Sequence, residues 1–411
     1  MSAPFRRWLP FLVGAAALVG TAFVVAAHGV GGDGGPEAAG GGAGGSGGRP
    51  RLASPARRGR GDARLEKAIA GGVDYLVKAQ NKDGSWGSPA SNLWDIYAPV
   101  PGAYTAFHVA ATALALSGLL EAEADGPAAG QAVARASAWL LEHHGKARRV
   151  SADTLYNVWA QTYALEAFAR LLARERDPAR REAYLRACAL DVDLLARFEF
   201  VDGGWGYYNF DIVAQRPEHG ATTFTTAAAL TALRMAADQG VKVPRRLVDR
   251  ALALLETCRR PDWAFEYAWD HRFSPSHPIN KWNGSLARTP SCEIAMIEWD
   301  HPVPRERVTE ALERLKAQGR FLQIARKYPV PHETWFYNSG YFCFFGYDYA
   351  SMLLDVVPAK VAAVHRASIA GVIAPLQEED GSFWDYQLYG YHKAYGTGYC
   401  LQILSRCRPP R

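Results

Sequence analysis

Apolar residues recur at helical spacing along most of the chain. In the first such stretch, Leu65, Ile69, Val73 and Leu76 fall on one face of a helix, and Asp62 is placed to cap its start. The next stretch, YTAFHVAATALALSGLLEA, is apolar on every side, so we expect it to be buried. An amphipathic helix followed by an apolar one predicts a helical hairpin whose second helix lies inside.

The same pairing recurs along the rest of the chain. The further pairs are 128–144 with 153–172, 178–198 with 221–238, 244–258 with 289–299, 304–318 with 338–356, and 358–376 with 394–405. Six hairpins in all predict an all-α fold, an (α/α)6 toroid with an inner and an outer ring of helices. An open row of stacked hairpins is the competing arrangement.

A short aromatic loop separates the helices of several pairs. It appears as NKDGSWG, VDGGWGYYNF, EDGSFWDYQ and, more weakly, RPDWAF. From Asp83 to Asp202 is 119 residues and from Asp202 to Asp380 is 178, which are close to two and three times 59. The tryptophans of the stronger copies are Trp86, Trp205 and, with one extra residue in the loop, Trp384. A fixed period of this kind indicates a repeat architecture.

The composition of the loop predicts a structural clasp and not a catalytic site. Gly84 supplies the backbone freedom that the chain needs to reverse after the outer helix. The indole of Trp86 is expected to cover the end of a neighbouring hairpin and to donate its N–H, with Gln80 as the candidate partner.

The first copy carries a resemblance to a known family. The stretch AIAGGVDYLVKAQNKDGSWG resembles the QW repeat of squalene–hopene cyclases and oxidosqualene cyclases, with Tyr75, Leu76, Gln80, Gly84 and Trp86 matching in order. The end AYGTGYCLQIL is similar to the last inner helix of protein prenyltransferase β-subunits, which share this toroid and the prenyltransferase and squalene oxidase repeat. The resemblance spans roughly residues 62 to 407 and implies a terpene cyclase-like toroid with a ligand site in its central cavity.

The chain departs from the catalytic motifs of both families. Class II terpene cyclases protonate an alkene with an Asp-x-Asp-Asp motif, whereas LDVDLL holds only Asp191 and Asp193. Protein prenyltransferases hold zinc with Asp-x-Cys and a distant His, whereas Asn338-Ser339-Gly340 and Gly396 occupy the matching positions here. We therefore expect no metal and no cofactor.

Polar residues near the starts of the apolar helices are the candidate site. Helix N-termini present free N–H groups there, and polar groups on apolar helices must find partners or face water. The candidate cavity-lining residues are Tyr104, Asn157, Gln161, Thr222, Thr226, Arg288, Asn338, Tyr341, His392, Lys393 and Tyr395. Glu293 and His108 are the catalytic candidates, Glu293 as a proton donor and His108 as a general acid or base. Capping and core contacts are the alternative roles for these side chains.

Three functions fit this pattern. The first is a terpenoid-handling enzyme of squalene cyclase or prenyltransferase-like fold that lacks the acid motif and the zinc ligands. The second is an exported carbohydrate-active (α/α)6 lyase or glycosidase, in which Arg288, Lys393, Tyr395 and His108 would suit an elimination. The third is a non-catalytic binding module on a membrane stalk. The expected partner is a small molecule, an isoprenoid or a glycan.

Composition and charge add information mainly at the N-terminus. Arg6 and Arg7 precede about twenty apolar residues, so residues 1–28 are predicted to be a signal peptide or a membrane anchor. Residues 29–61 are a Gly/Arg-rich disordered linker, and residues 62–411 are the toroid domain. The chain is therefore expected to be exported to the cell envelope, either anchored or secreted.

The remaining composition narrows the partners and the redox state. The net charge is +5, but much of the excess lies in the arginines of residues 49–64, so a nucleic-acid partner is not expected. Six cysteines without CxxC spacing are expected to be buried free thiols, although export leaves one or two disulfides open.

Overall fold

A computed structural model describes residues 58–90, 101–147, 157–206 and 220–410. Within those ranges the chain forms thirteen α-helices and short 3-10 turns, with isolated β-bridges but no β-strand. The predicted signal or anchor segment and the predicted linker up to residue 57 lie outside the described residues, as do parts of the connections before three inner helices.

The helices alternate between two rings. The outer helices are α1 (Ala63–Ala79), α3 (Pro127–His143), α5 (Pro178–Phe198), α7 (Arg245–Cys258), α9 (Arg305–Gln318) with its extension α10 (Arg320–Ala325), and α12 (Ala359–Ile373). The inner helices are α2 (Pro101–Glu121), α4 (Asn157–Leu172), α6 (Thr223–Asp238), α8 (Arg288–Glu298), α11 (Phe342–Leu353) and α13 (His392–Cys407). This order confirms the predicted all-α toroid of six hairpins.

The inner ring is closed. Each inner helix packs against the next, from α2 through α4, α6, α8 and α11 to α13, and α13 packs back against α2. Side chains on nearly every face of α4 and α13 are buried, as the apolar pattern of the sequence predicts. The open row of hairpins is therefore excluded.

The two ends of the described domain meet at the seam of the ring. The backbone N–H of Gly59 donates to the carbonyl of Pro409 at 2.7 Å. The guanidinium of Arg408 binds both carboxylate oxygens of Glu66 at 2.9 and 2.7 Å. These contacts join the strand-like start of the domain and helix α1 to the end of helix α13, so the ring is closed by polar pairs as well as by packing.

The aromatic loops repeat one geometry in four hairpins. In each of them a fully buried aromatic residue donates its backbone N–H to a hydroxyl group further along the same hairpin. The pairs are Trp86 to Thr112, Trp205 to Thr226, Phe265 to Ser285, and Phe383 to Thr397, at 3.2, 3.0, 3.1 and 2.9 Å. Gly84 precedes the first pair with a φ of 98°, and a Cβ there would lie 2.6 Å from the carbonyl oxygen of Arg135.

The contacts of the loops correct two of the predicted details. The indole of Trp86 donates to the carbonyl of Leu76 at 2.7 Å, whereas Gln80 donates to the carbonyls of Gly84 and Ala132 at 2.9 and 2.8 Å. Gln80 therefore links its hairpin to outer helix α3, because its flexible amide reaches the neighbouring helix. In the last loop Phe383, not Trp384, occupies the position of Trp86, so the loop contains no extra residue.

The cysteines and the longest apolar helical stretches of the described residues all lie within the toroid. All six cysteines are buried free thiols. Among the described residues two helical stretches are long and apolar enough to cross a membrane, Ala103–Glu121 and Ala359–Leu376. Both belong to the toroid, and the first is 83% buried within it, as expected for a core helix.

Candidate functional site

A cavity of about 210 Å³ lies within the inner ring. Five inner helices and two connecting segments supply its wall. The lining residues are Phe107, Ala110, Ala111 and Leu114 of α2; Trp159 and Tyr163 of α4; Phe224 of α6; Phe342 and Phe345 of α11; Tyr395 and Tyr399 of α13; and Pro331, His332, Tyr341, Tyr386 and Leu388 of the connections. No carboxylate belongs to the lining among the residues that the structure describes.

The wall is predominantly aromatic, and its rings hold one another in place. Phe224 packs edge to face against Phe342 and Phe345, with ring centroids 5.0 and 5.9 Å apart. Trp159 stacks on Tyr163 at 5.7 Å and meets Phe345 edge to face at 6.5 Å. Such contacts fix the ring orientations, so the cavity presents preformed π-faces to a ligand.

A buried carboxyl group lies directly behind this wall. The hydroxyl of Tyr395 is 2.8 Å from Oδ1 of Asp385 and 2.9 Å from the carbonyl oxygen of Tyr386. The other oxygen, Oδ2, accepts the backbone N–H of Phe344 at 2.8 Å. Burial raises the pKa of Asp385 to about 7, although these hydrogen bonds oppose the shift.

The hydrogen bonds around Asp385 suit a protonated carboxyl. Tyr395 has one hydroxyl proton and two acceptors within reach, Asp385 and the carbonyl of Tyr386. If Asp385 carries a proton on Oδ1, it donates to the Tyr395 oxygen, and Tyr395 donates to Tyr386. Every donor then has an acceptor, and Tyr395, the middle member of this chain of bonds, lines the cavity.

A histidine and a tyrosine lie together in the wall near the connecting segments. Nδ1 of His332 is 2.9 Å from the carbonyl of Tyr337, so the proton is on Nδ1. Nε2 therefore accepts from the hydroxyl of Tyr341, at 2.9 Å. Burial lowers the pKa of His332 below its usual value, which keeps the imidazole neutral at pH 7.

A pair of tyrosines faces the cavity from the other side. The hydroxyls of Tyr163 and Tyr399 form a short hydrogen bond between α4 and α13. Behind them Glu166 is buried, and burial raises the pKa of its carboxyl to about 7 despite the nearby charge of Arg170. These tyrosines supply the polar atoms at this otherwise apolar end.

Arg288 stands one layer behind the lining. Its guanidinium carbon lies 5.5 Å from the ring centre of Tyr267 and 5.9 Å from that of Phe342. The guanidinium donates to three backbone carbonyls, those of Gly284 at 2.7 Å, Phe265 at 3.3 Å and Ile279. It therefore ties the long connection between α7 and α8 to the start of α8.

Two of the predicted cavity residues, Tyr341 and Tyr395, line the cavity. Most of the others bond to neighbouring loops and helices. Thr226 accepts from Trp205 at 3.0 Å, Thr222 bonds Thr225 at 2.5 Å, Gln161 donates to the carbonyl of His144 at 2.9 Å, Asn338 donates to the carbonyl of Asn283 at 2.9 Å, His392 donates to the carbonyl of Tyr389 at 2.9 Å, and Lys393 pairs with Asp380 at 2.5 Å. Tyr104 packs its ring on Tyr389, and Asn157 is buried at the start of α4. The starts of inner helices are where loops dock, and their polar groups satisfy the docked backbone.

The two predicted catalytic residues lie apart from each other and outside the lining. The carboxyl of Glu293 is buried between α8 and α9, where Arg307 and Glu310 are its charged neighbours, and burial raises its pKa well above the usual value. The imidazole of His108 packs between the rings of Trp139 and Tyr391, and burial lowers its pKa to about 4. The geometry of the cavity favours other side chains for acid–base chemistry.

Sequence reasoning missed His332 as a site residue and favoured turn capping over a place at the cavity mouth for Asp385, because both lie in connecting segments without helical periodicity. It also missed the aromatic stripes of the inner helices, although these carry a readable signal. Trp159 and Tyr163 are one helical turn apart, as are Tyr395 and Tyr399, and all four line the cavity. Among the described residues no group of three or more His, Cys, Asp or Glu side chains is arranged to hold a metal.

The closed ring of six hairpins around an aromatic cavity defines the protein as an all-α (α/α)6 toroid. An α-1,6-mannanase of the GH76 class from Salegentibacter sp. has this fold, with a TM-score of 0.53 and 8% identity over 83% of this chain and 98% of the mannanase. A variant of the type II terpene cyclase MstE from Scytonema, solved with its substrate geranylgeranyl dihydroxybenzoate, gives a TM-score of 0.48 and 14% identity over 84% of this chain and 97% of the cyclase. No protein-family profile matches the chain, and no curated protein matches it by sequence. At 8% identity the likeness to the mannanase shows the fold alone.

Proposed function

We propose that this toroid is a terpenoid-handling enzyme that binds an isoprenoid chain in its central cavity and starts a reaction by proton transfer. The observation that carries the proposal is the aromatic lining, which has no carboxylate among the described residues, backed by the buried Asp385–Tyr395 pair. An apolar cavity of this kind removes hydrocarbon from water, and its π-faces stabilise positive charge. The resemblance of the first aromatic loop to the QW repeat supports the same class of ligand.

The acid step needs no co-reactant. Tyr395 donates its hydroxyl proton to an alkene carbon, a C–H bond forms, and the π electrons of the alkene leave a carbocation at the neighbouring carbon. The Tyr395 oxygen takes the proton of Asp385 at the same time, so the negative charge comes to rest on the carboxylate. Loss of a proton from the rearranged cation to the carboxylate, through Tyr395, restores the acid and yields an isomer of the substrate.

The carbohydrate-active alternative is less well supported by the described residues. Glycosidases commonly place two carboxyl groups on either side of the scissile bond. In the part of the chain that the structure describes, the cavity wall carries none, and its polar atoms are tyrosine hydroxyls and one imidazole. The elimination chemistry predicted for Arg288, Lys393, Tyr395 and His108 also lacks its geometry, because Lys393 is paired with Asp380 and His108 packs on Trp139.

Incubation of the full-length chain with acyclic isoprenoids tests the proposal. Squalene, farnesol and geranylgeraniol would be added to the detergent-solubilised protein, and the extracts would be compared by mass spectrometry and chromatographic retention. We expect a product of unchanged mass and altered retention, which the D385N variant fails to form. The matched control is Asp193→Asn, because Asp193 is an exposed acid on outer helix α5 paired with Arg197.

Each outcome of this experiment decides between the candidate functions. Product from the wild type and from D193N, but not from D385N, supports the enzyme. Saturable binding of isoprenoids without conversion supports a binding module and overturns the catalytic part. Failure to bind any isoprenoid, with binding of manno-oligosaccharides or uronic acids, overturns the whole proposal in favour of a glycan ligand.

A further inference from the structure

The guanidinium of Arg288 is a buried positive charge that has no acidic partner among the residues described by the structure. Its side chain is fully buried, and its Nε atom has no hydrogen-bond partner. The groups that act on it electrically are Tyr267, Cys292 and Tyr341, and no carboxylate is among them in the described part of the chain. Its bonds to backbone carbonyls satisfy donors but leave the net charge uncompensated, and an unpaired buried charge is costly.

The field of Arg288 reaches the polar part of the cavity wall. Burial is the main cause of the lowered pKa of His332, which lines the cavity, and of His271, which lies next to Tyr267, and the positive charge of Arg288 lowers both further. Tyr341 also lines the cavity and interacts with Arg288. This end of the cavity is therefore electropositive, whereas the wall of Phe107, Leu114 and Phe345 is apolar.

We propose that the cavity binds an amphiphile whose anionic head, a carboxylate or a phosphate, lies against His332 and Tyr341 with Arg288 as the balancing charge behind them. This inference rests on the proposed function, since the apolar chain of the same ligand would occupy the aromatic part of the cavity. An anion there pairs with Arg288 through a medium of low dielectric constant, where charge attraction is stronger than in water.

Binding of the anion is expected to change the protonation state of His332. In the free protein Nδ1 of His332 donates to Tyr337 and Nε2 accepts from Tyr341. A negative charge nearby favours the imidazolium, whose new Nε2–H donates to the Tyr341 oxygen, so that the Tyr341 hydroxyl turns to the anion. Binding of the anionic ligand is therefore accompanied by uptake of one proton at His332, and the affinity rises as the pH falls from 8 towards 6.

Among the described residues no acid contacts the imidazole of His332, and the adjacent Glu333 is exposed and accepts from the hydroxyl of Tyr328. The groups that face it are Arg288, His271, His277, Tyr267, Tyr337, Ser339, Tyr341 and Phe342. Asp270 acts on His271, where it opposes the lowering of the pKa. Arg288 is the permanently charged group among them, and its repulsion of an imidazolium at His332 is what a bound anion would relieve.

The first test uses the wild-type full-length chain and pairs of probes that differ only in the head group. Farnesoic acid, farnesyl monophosphate and farnesol would be titrated by isothermal calorimetry at pH 6 and pH 8. We expect the acid and the phosphate to bind at least about tenfold more tightly than the alcohol, because charge-assisted hydrogen bonds are stronger than neutral ones. Affinity for farnesoic acid should rise from pH 8 to pH 6, and affinity for farnesol should stay constant. Equal affinities of acid and alcohol would overturn the inference.

The second test removes the charge. Arg288→Gln should reduce the preference for the acid over the alcohol to within about twofold, while Arg245→Gln, an exposed arginine of outer helix α7, should leave it unchanged. Arg288→Gln also alters bonds to the loop, so its thermal unfolding would be compared with that of the wild type. If it fails to fold, Tyr341→Phe removes the hydroxyl that reaches the anion and should lower the preference severalfold; an unchanged preference there contradicts the inference.

A final pair of probes separates this inference from the proposed function. Hexadecanoic acid and hexadecanol have the same head groups as the first set but no alkene. Preference for both acids over both alcohols supports the head-group site, whether or not an isoprenoid is converted. Binding of farnesol and farnesoic acid with equal affinity removes the head-group site and leaves the proposed function standing. Failure of every probe to bind removes both.

Discussion

The surroundings of Asp385 determine the protonation state of its carboxyl group. In water it would be ionised at pH 7, but here burial raises its pKa to about 7. Its neutral form satisfies the hydrogen bonds of Tyr395, and Tyr395 reaches the cavity. The residue acts through Tyr395, so its role is to hold and return a proton.

The first prediction at this scale concerns the pH dependence of activity. Turnover of an isoprenoid should be constant below about pH 6 and should fall as the pH rises through about 7, because Asp385 must be protonated to resupply Tyr395. In D385N the turnover should be at least about a hundredfold lower and should lose this inflection. Initial rates between pH 5 and 8.5 measure both. A wild-type rate that is flat across this range would contradict the assignment.

The second prediction concerns stability. The pKa of Asp385 is higher in the folded than in the unfolded chain, so the folded state binds more protons between about pH 4 and pH 7. Its contribution to the free energy of unfolding is therefore complete below pH 4 and falls by up to about 1.4 kcal/mol per pH unit across that window. D385N lacks this term, so its stability relative to the wild type should improve from pH 5 to pH 8, as measured by urea midpoints. Parallel curves for the two proteins would show that Asp385 ionises normally.

At the scale of elements, the aromatic loops of four hairpins share one backbone arrangement, a buried aromatic residue whose backbone N–H donates to a hydroxyl group. The backbone geometry is shared, while the ring is an indole in two loops and a phenyl in the other two. Trp263 takes the left-handed position of Gly84, with a φ of 64°, so the turn persists even where glycine is absent. The buried ring and its backbone hydrogen bond are common to the four clasps, whereas an indole N–H donor is present in only two of these four.

Two substitutions of Trp86 are therefore expected to lower the free energy of unfolding by different amounts. Trp86→Phe removes the bond to the Leu76 carbonyl but keeps a ring that this loop type accepts, so it should cost about 1–2 kcal/mol. Trp86→Ala leaves a cavity at a fully buried site and should cost about 3–5 kcal/mol. Chemical denaturation measures both. Trp384→Phe is the control, because Trp384 lies beside the clasp and under Lys327, and it should change stability little. Equal losses for Trp86→Phe and Trp86→Ala would show that the indole N–H dominates.

The boundaries of elements show where sequence periodicity ceases to be informative. Helix α12 and its 3-10 extension, which together cover Ala359–Leu376, closely match the predicted 358–376, because Pro358 marks the start clearly. Helix α11 begins at Phe342 and not at Asn338. The preceding residues Phe336 and Tyr337 adopt φ values of 58° and 57°, which keep this segment out of the helix and place the carbonyl of Tyr337 beside His332.

At the scale of the whole molecule, ring closure is the feature that creates the cavity. Helices α2 and α13 are far apart in sequence but adjacent in space, and residues from both line the lumen. The seam is reinforced by Arg408, which binds Glu66 and the carbonyl of Ala122. Opening the seam would expose the apolar inner helices to water.

The corresponding prediction is that Arg408→Met loosens the seam. Loss of the ion pair with the partly exposed Glu66 should cost about 1 kcal/mol at low salt and less at high salt, because solvent screens the pair. The bound charge of Arg408 lowers the pKa of Glu66, so this contribution is also lost as the pH falls through the acid range. Unfolding curves at two salt concentrations measure the effect, with Arg186→Met on outer helix α5 as the exposed control. A loss that does not change with salt would indicate that packing of the side chain dominates.

The sequence by itself determined the repeat, the helix order, and which helix of each pair is inside. Those properties depend on local periodicity, and a helix that is apolar on every side has few stable places outside a core. Only the tertiary structure decided that the ring closes, that the cavity is walled by aromatic stripes, and that His332 lines this cavity while Asp385 and Arg288 lie behind its wall. The environment of these three residues is built by segments distant in the chain, and burial among them, not residue type, sets their charge and their chemistry.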